Sequence, residues 1–525
     1  MERRKLLFGR LGDSPTGRPT RAGFAWFGTA LFLAVGIARA WRHEPWRDEC
    51  GVWLLAQNCP TLDDLVRHLR YAGHPYLWPL LAWGLGHWTS NFFALQLLHL
   101  VLASTAVFLV LRYAPWPRWE AALCVLGYFF FFEYSIVCRA YVFALLGVAL
   151  VGIAWQKRGD RPWIGGAGLF LLTQSSVYGV ILALALVPLL CIACQQRVRD
   201  RTATIGWCVG WGLPLAFGTA MTIAMIVPPA DADPAFPWIL KYDGARLAQV
   251  TATFWRALVP LPDVSTRFPW NSNIADGFSG HTQMALGVLA LIAACWSLRR
   301  DMVAFLYFLM VALGVFAFTY LKYYGSLRHH GHFYLALLMT MWLLGTRGRP
   351  GLPVSAAWFR RGVFMIQAAA GLWLAAADWT MPFSANRRAA EWIAAGDFGE
   401  YVLAGSEAHA TSGVGMHLAR PIYYLNRERW GTFIIRNNHR RQFASPAELF
   451  ESAATLSGES SKPVLLILNR KLPDQKGFRL RAGFRNSLIA DERFFLYTYE
   501  PAGASPTESR ERGTVSEAPS KRRPR

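Results

Sequence analysis

Residues 46–79 read WRDECGVWLLAQNCPTLDDLVRHLRYAGHPYLWP, a polar, carboxylate-bearing stretch between the first two strongly apolar segments of the chain. It puts Asp48 and Glu49 within a few residues of an expected membrane surface, where ionisable groups are costly to desolvate unless they line a site. Upstream, the apolar run 22–40 is long enough to cross a bilayer core of ~30 Å. Residues 1–21 carry Arg3, Arg4, Lys5, Arg10, Arg18 and Arg21, which keeps the N-terminus in the cytoplasm and sends 46–79 outside. Within the stretch, Thr61-Leu62-Asp63-Asp64 is a capping-box-like start with Asp in the Glu position. Leu62, Leu65, Val66 and Leu69 then recur at helical spacing, as for a helix lying on the outer surface.

Composition agrees with a membrane chain. Of 525 residues, 54% are hydrophobic, 17% are charged and 23 are Trp, more than a water-soluble core needs. The 54 Lys+Arg against 33 Asp+Glu give +21, but the charges fall in short clusters between apolar segments. That is the positive-inside pattern rather than a nucleic-acid face, so no nucleic-acid partner is expected. No small-residue cleavage site follows the first apolar run, which argues for a retained span and not a signal peptide.

Further spans are expected at 91–111, 118–136, 139–156, 163–176, 177–195, 203–227, 282–298, 302–321, 333–346 and 362–379. The stretch 163–195 is apolar except for Thr173-Gln174-Ser175-Ser176 and reads as one long helix or two short ones. If two, then Arg112/Arg118, Lys157/Arg158/Arg161, Arg197/Arg199/Arg201, Arg299/Arg300 and Arg347/Arg349/Arg360/Arg361 all lie inside with the N-terminus. The fold class is therefore an α-helical polytopic membrane protein of about 11 transmembrane helices. A small extracytoplasmic α/β domain follows at 385–500, with a helix at 387–395 and strands at 401–403, 421–425, 432–435, 464–468 and 494–499. The tail 501–525 reads as disordered. External loops are expected at 41–90 and 228–281, the second rich in Pro and Trp, with Leu247, Val250, Phe254 and Leu258 at helical spacing. Long loops over a site are often lids.

This topology gathers the polar interruptions on the outer side: Asp48, Glu49, His74, Glu133, Arg139, Gln174, Tyr178, Lys322, Arg328, His329, His330 and His332. Left unpaired they would be expensive beside a bilayer, which implies a shared polar cavity. A carboxylate there can take a proton from an attacking hydroxyl, although Asp48 and Glu49 also read as a solvated acidic pair opening a loop. Arg139, in FFFFEYSIVCRAYVFALL, has a fork suited to phosphate, or forms an internal pair with Glu133. Lys322, Arg328, His329, His330 and His332, in LKYYGSLRHHGHFY, form the densest basic cluster on that face and suit a phosphate-bearing group. Gly331 interrupts the His run, which weakens a zinc reading. His74-Pro75 fits an active-site wall or a simple cap. Cys191 and Cys194 have redox spacing inside a span and read as packing, while Cys50 and Cys59 share an external loop where a disulfide is permitted. No Gly-rich phosphate loop is present and the interior loops are short, so an activated donor would be reached from outside and would be lipid-linked.

The Asp-Glu pair in the first external loop, the His-Pro before the second span and the Arg-x-Tyr (Arg139, Tyr141) at the start of the fourth together resemble the GT-C superfamily of polyprenyl-phosphate-sugar-dependent glycosyltransferases. That superfamily includes protein O-mannosyltransferases and the lipid A aminoarabinose transferase. RDECGVWLLAQ, LRYAGHPYLW, EYSIVCRAYVFALL and KYYGSLRHHGHFYLALL are similar to bacterial GT-C-like membrane proteins, and the likeness covers roughly 22–380, the transmembrane catalytic module. The third motif residue departs from the pattern, being Cys where many relatives have a small residue or Pro.

The resemblance implies Asp48 as the base, with Glu49 supporting it or a divalent cation (Mg or Mn) held by the pair. It implies Arg139, Lys322, Arg328 and His329 on the donor phosphate, with His74, Glu133, Tyr141, Gln174, Tyr178 and His330 lining the cavity. The expected activity is inverting transfer of a sugar from a polyprenyl phosphate to a lipid, glycan or protein acceptor at the outer face of a bacterial inner membrane. The rival is a transporter or flippase of a lipid-linked or anionic substrate, which would also need polar residues deep in its spans and an inward opening.

Overall fold

A computed structural model describes residues 20–157, 161–195, 201–233, 237–345, 354–406, 408–439, 443 and 445–499. Several expected inside charges, among them Arg158, Arg197, Arg199, Arg347 and Arg349, and the tail 501–525 lie outside the described residues. The described residues form two compact units, one from those within 1–43 and 59–380 and the other from those within 44–58 and 381–499.

The first unit is helical. Among the described residues, seven helices are long and apolar enough to cross a membrane: Ala22–Arg42, Phe92–Tyr113, Val177–Gln195, Thr202–Ile226, Gly280–Leu298, Met302–Leu321 and Ser355–Thr380. This is the build of a multi-pass membrane protein. The other four expected spans take different forms, each for a local reason. The stretch 118–136 breaks after helix Arg118–Val125, and a π-helical turn, Tyr128–Glu133, follows Gly127. Helix Val142–Gln156 has 15 residues, which reach only about 22 Å at 1.5 Å per residue. The 163–195 stretch divides at Ser176, whose extended backbone ends helix Pro162–Ser175 and whose hydroxyl caps the next helix by accepting the Gly179 N–H. Helix Leu327–Gly345 starts earlier than expected, so Arg328, His329, His330 and His332 occupy its first turns.

Small residues let the short helices sit deep. A Cβ on Gly147 would come within 2.7 Å of Gly168 O, and one on Gly166 would overlap Gly210 O. Helix Pro162–Ser175 is thereby held backbone to backbone against both Val142–Gln156 and Arg201–Ile226. Buried polar pairs join distant helices. Glu120 accepts from Arg360 Nε at 2.6 Å and Arg361 Nε at 2.9 Å, and His43 Nδ1 lies 3.1 Å from both Asp378 carboxylate oxygens.

The 228–281 segment is built into this unit rather than draped over it. Its helix Gly244–Leu258 packs against Gly280–Leu298, Met302–Leu321 and Leu327–Gly345, burying Val250, Phe254 and Leu258. The ends are anchored by Ile239 N–H to Leu321 O at 2.8 Å and by Gln367 Nε2 to Ala257 O at 2.8 Å. The expected surface helix forms as Leu62–Leu69, with Thr61 Oγ1 accepting the Asp64 N–H.

The second unit is a three-layer α/β structure. Its strands are β1 (Val402–Gly405), β2 (Ile422–Tyr424), β3 (Arg429–Gly431), β4 (Val464–Leu468), β5 (Phe478–Phe484) and β6 (Phe494–Tyr499), in the order β3-β2-β1-β4-β6-β5. β1 runs parallel to β2 and β4, while β3, β5 and β6 join antiparallel. Alternation of side chains sends Leu403, Leu465, Ile467, Phe494 and Leu496 to one face, under helices Asn386–Ala395 and Ala408–Leu418. Val402, Ala404, Val464, Leu466 and Phe495 go to the other, under helix Pro446–Ser460. Helix Arg47–Asn58 belongs to this unit and packs on helix Ala408–Leu418.

Candidate functional site

In the α/β unit, Asp48 and Glu49 occupy the first turn of helix Arg47–Asn58, where the partial positive charge of the helix N-terminus favours carboxylates. Their environments differ. Glu49 is buried and its Oε2 accepts the Trp46 N–H at 3.1 Å, closing the helix start, while Asp48 is half-buried. The pair therefore divides into a bracing carboxylate and a more accessible one.

In the helical unit, the polar residues collect where the backbone leaves the helical state, between Leu126 and Tyr141. Arg139 is only 4% exposed, and its Nη2 lies 3.1 Å from His74 Nε2. His99, from helix Phe92–Tyr113, braces that turn: its Nε2 accepts the Arg139 backbone N–H at 3.2 Å and its Nδ1 lies 3.1 Å from Ser135 O. Glu133 Oε2 accepts both the Tyr128 hydroxyl, at 2.7 Å, and the Trp270 indole N–H, at 3.0 Å. The Arg328 guanidinium lies over the Trp270 ring at 5.6 Å, and Arg328 and Arg139 both act electrostatically on Glu133.

The start of helix Leu327–Gly345 completes this cluster. Ser326 N–H donates to His329 Nδ1 at 3.0 Å, which leaves His329 Nε2, 2.9 Å from the Tyr141 hydroxyl, as the protonated nitrogen. Tyr178 lies against the His329 ring at 5.5 Å and donates to Tyr323 O at 3.0 Å. His332 accepts from the Ser176 hydroxyl at 3.1 Å. Arg139, His74, Glu133, Arg328, Tyr141, His329 and Tyr178 are thus brought into one neighbourhood.

Three expected residues face elsewhere. Gln174 donates to Gly218 O at 3.0 Å and Thr222 Oγ1 at 3.1 Å, so it joins helix Pro162–Ser175 to Arg201–Ile226. His330 Nε2 lies 2.8 Å from Tyr324 O, and Lys322 Nζ sits over Trp238 at 5.1 Å. Sequence reasoning missed His99, Tyr128, Tyr134 and Trp270. His99 sits in an otherwise apolar helix, and such an intramembrane ionisable residue could have been flagged; Trp270 lies in a long loop, where spacing carries no signal.

Cys50 and Cys59 are free thiols. Among the described residues, no group of three or more His, Cys, Asp or Glu is arranged to hold a metal ion. Asp48 and Glu49 are two carboxylates, one already holding a backbone N–H, so the pair by itself leaves at most three oxygens for a cation. No protein-family model matches the chain, and no curated protein matches it.

Proposed function

We propose that the protein is an integral membrane glycosyltransferase that moves a sugar from a polyprenyl phosphate to an acceptor hydroxyl. The observation that carries this reading is the buried Arg139, held through His74 beside Arg328 and Glu133 at a break in the helical backbone. Cationic groups desolvated in this way are matched to a phosphate and strengthen as charge develops on it. Asp48 removes the acceptor proton and Glu49 orients the helix start, and this pair would hold a divalent cation. The acceptor oxygen bonds to the anomeric carbon as the carbon–oxygen bond to phosphate breaks, so the centre inverts and polyprenyl phosphate departs. Arg139, Arg328 and His329 take up the leaving charge, while Tyr141 and Tyr178 orient His329.

On the positive-inside reading, the chain sits in a bacterial inner membrane with the N-terminus in the cytoplasm and the α/β unit outside. The test is transfer in membranes supplied with labelled polyprenyl-phosphate sugars. Release of polyprenyl phosphate that falls at least 100-fold in both Asp48→Asn and Arg139→Ala supports the enzyme. No consumption by the intact protein, with lipid-linked sugar still changing leaflet, replaces it with a transporter.

A further inference from the structure

The helix that carries Asp48 and Glu49 is seated, within its own unit, by residues more than 300 positions further along the chain. Glu492, fully buried just before β6, accepts the Arg47 backbone N–H on Oε1 at 3.1 Å and the Ser384 hydroxyl on Oε2 at 2.7 Å. Ser384 Oγ in turn accepts the Asn386 N–H at 3.1 Å, and Asn386 Nδ2 donates to Pro45 O at 2.6 Å. The Ala385 N–H donates to Glu492 O at 3.0 Å, Arg47 is ion-paired with Asp491, and Phe383 meets Trp46 edge-on at 6.4 Å.

The arrangement answers a specific need. The first N–H groups of a helix have no partner within it, and the usual remedy is a local Ser, Thr, Asp or Asn cap. Here Pro45 and Trp46 precede the helix and offer no such side chain. The Arg47 N–H is satisfied instead by a carboxylate 445 residues away. A buried acid is a costly way to accept two hydrogen bonds, and one of them fixes the residue immediately before Asp48.

We infer that Glu492, with Ser384 and Asn386 behind it, is the positioning residue for the carboxylate helix, so that the C-terminal unit serves as the mount for Asp48 and Glu49. The functional half of this inference rests on the proposed role of Asp48 as base; the structural half does not. Glu492 acts through the helix start and touches no substrate.

The test compares Glu492→Ala with Glu492→Gln in the full-length protein in lipid nanodiscs. Gln keeps an accepting oxygen for Arg47 N–H, and Ala removes it. Amide hydrogen exchange across 46–50, measured near pH 5, should rise at least tenfold in Glu492→Ala, with Glu492→Gln close to wild type and β4 unchanged in both at that pH. In the transfer assay kcat should fall at least tenfold in Glu492→Ala with the donor KM within about twofold, and Glu492→Gln should restore it. Ser384→Ala, which removes one support while leaving Glu492 in place, should give an intermediate exchange rate and keeps the question open to measurement should Glu492→Ala not fold. Unchanged exchange across 46–50 in Glu492→Ala and Ser384→Ala overturns the inference. Changed exchange with no transfer by the intact protein leaves the mount standing and removes only the enzyme reading.

Discussion

Replacing Glu492 by Gln should change how the stability of the α/β unit depends on pH, and the sign follows from the site. Burial raises the Glu492 carboxyl from 4.5 to about 8, against the opposing pull of the Ser384 hydroxyl, the Arg47 charge and the Arg47 N–H, and with Asp491 adding to the rise. The neighbouring Cys50 thiol is also raised by burial and by Glu492, Glu49 and Asp48. An acid whose native pKa exceeds its unfolded value favours the fold fully below 4.5, and that advantage is lost as pH rises towards about 8. In this window the unfolded chain has released the proton and the native chain has not, so each pH step costs about 1.4 kcal/mol from this group. From pH 5 to pH 8 the sum is about 4 kcal/mol, comparable with the whole stability of a marginal domain.

Glu492→Gln removes this slope and leaves the shape of the site nearly intact. Exchange protection of β4 and β6 amides, corrected for intrinsic rates, measures unit stability from pH 5 to pH 9. The variant should be close to wild type near pH 5 and more stable by several kcal/mol at pH 8. Parallel curves, or a variant that loses ground as pH rises, would show that Glu492 is not held protonated by burial and would refute the reasoning.

Glu120→Ala should cost about 3–5 kcal/mol, because it leaves Arg360, itself 3% exposed, as an uncompensated buried charge; thermal denaturation in detergent reads the loss. Gly166→Val should abolish accumulation of folded protein, since its Cβ overlaps the Gly210 backbone carbonyl, which cannot move without parting two helices. Gln174→Met should lower stability by about 1–3 kcal/mol by removing the donors to Gly218 O and Thr222. Transfer per folded molecule should be unchanged, and a kcat loss above tenfold would return Gln174 to the substrate cavity. Arg139→Ala should keep the fold and lose transfer, whereas His99→Ala, which frees the Arg139 N–H and Ser135 O, should lose both; the comparison is folded yield by size-exclusion chromatography beside activity.

The sequence exposed much of this architecture where one physical signal dominated. β4 and β6 are apolar runs buried on both faces and fall at their expected bounds, Val464–Leu468 and Phe494–Tyr499. β5, with Arg479 and Arg481 between apolar neighbours, is an edge strand whose alternation was masked by charge, and the strand expected at 432–435 is displaced to Arg429–Gly431 by the tight β2–β3 hairpin. Hydropathy does not detect the break at Gly127, whereas the polar Thr173-Gln174-Ser175-Ser176 marks the division between expected spans 163–176 and 177–195 that falls at Ser176. The basic cluster was visible as composition, but its partition was not. His329 joins Tyr141 while His330 turns to Tyr324, a consequence of the 100° step between adjacent helical residues. Nothing local in the sequence pairs Arg47 with Glu492, since that contact is created only by closing the α/β unit.

Backbone that leaves the helix inside an apolar unit must have its N–H and C=O groups satisfied by protein, and this separates the polar residues around 126–141 by what they do. His99 is spent on that task, meeting the Arg139 N–H and Ser135 O, and Arg39 Nη1 serves Phe131 O. Tyr134 donates to Arg328 O and holds the opposite helix start in place. Glu133 serves no backbone group through its side chain: Oε2 carries two donors, and Oε1, buried, carries no hydrogen bond. A buried carboxylate with one oxygen unbonded costs more than the Tyr128 and Trp270 bonds recover as packing. The Arg328 and Arg139 charges offset part of that cost, and the carboxylate in turn relieves the repulsion between these two cations. Glu133 therefore reads as the group that holds Arg139 and Arg328 in one neighbourhood.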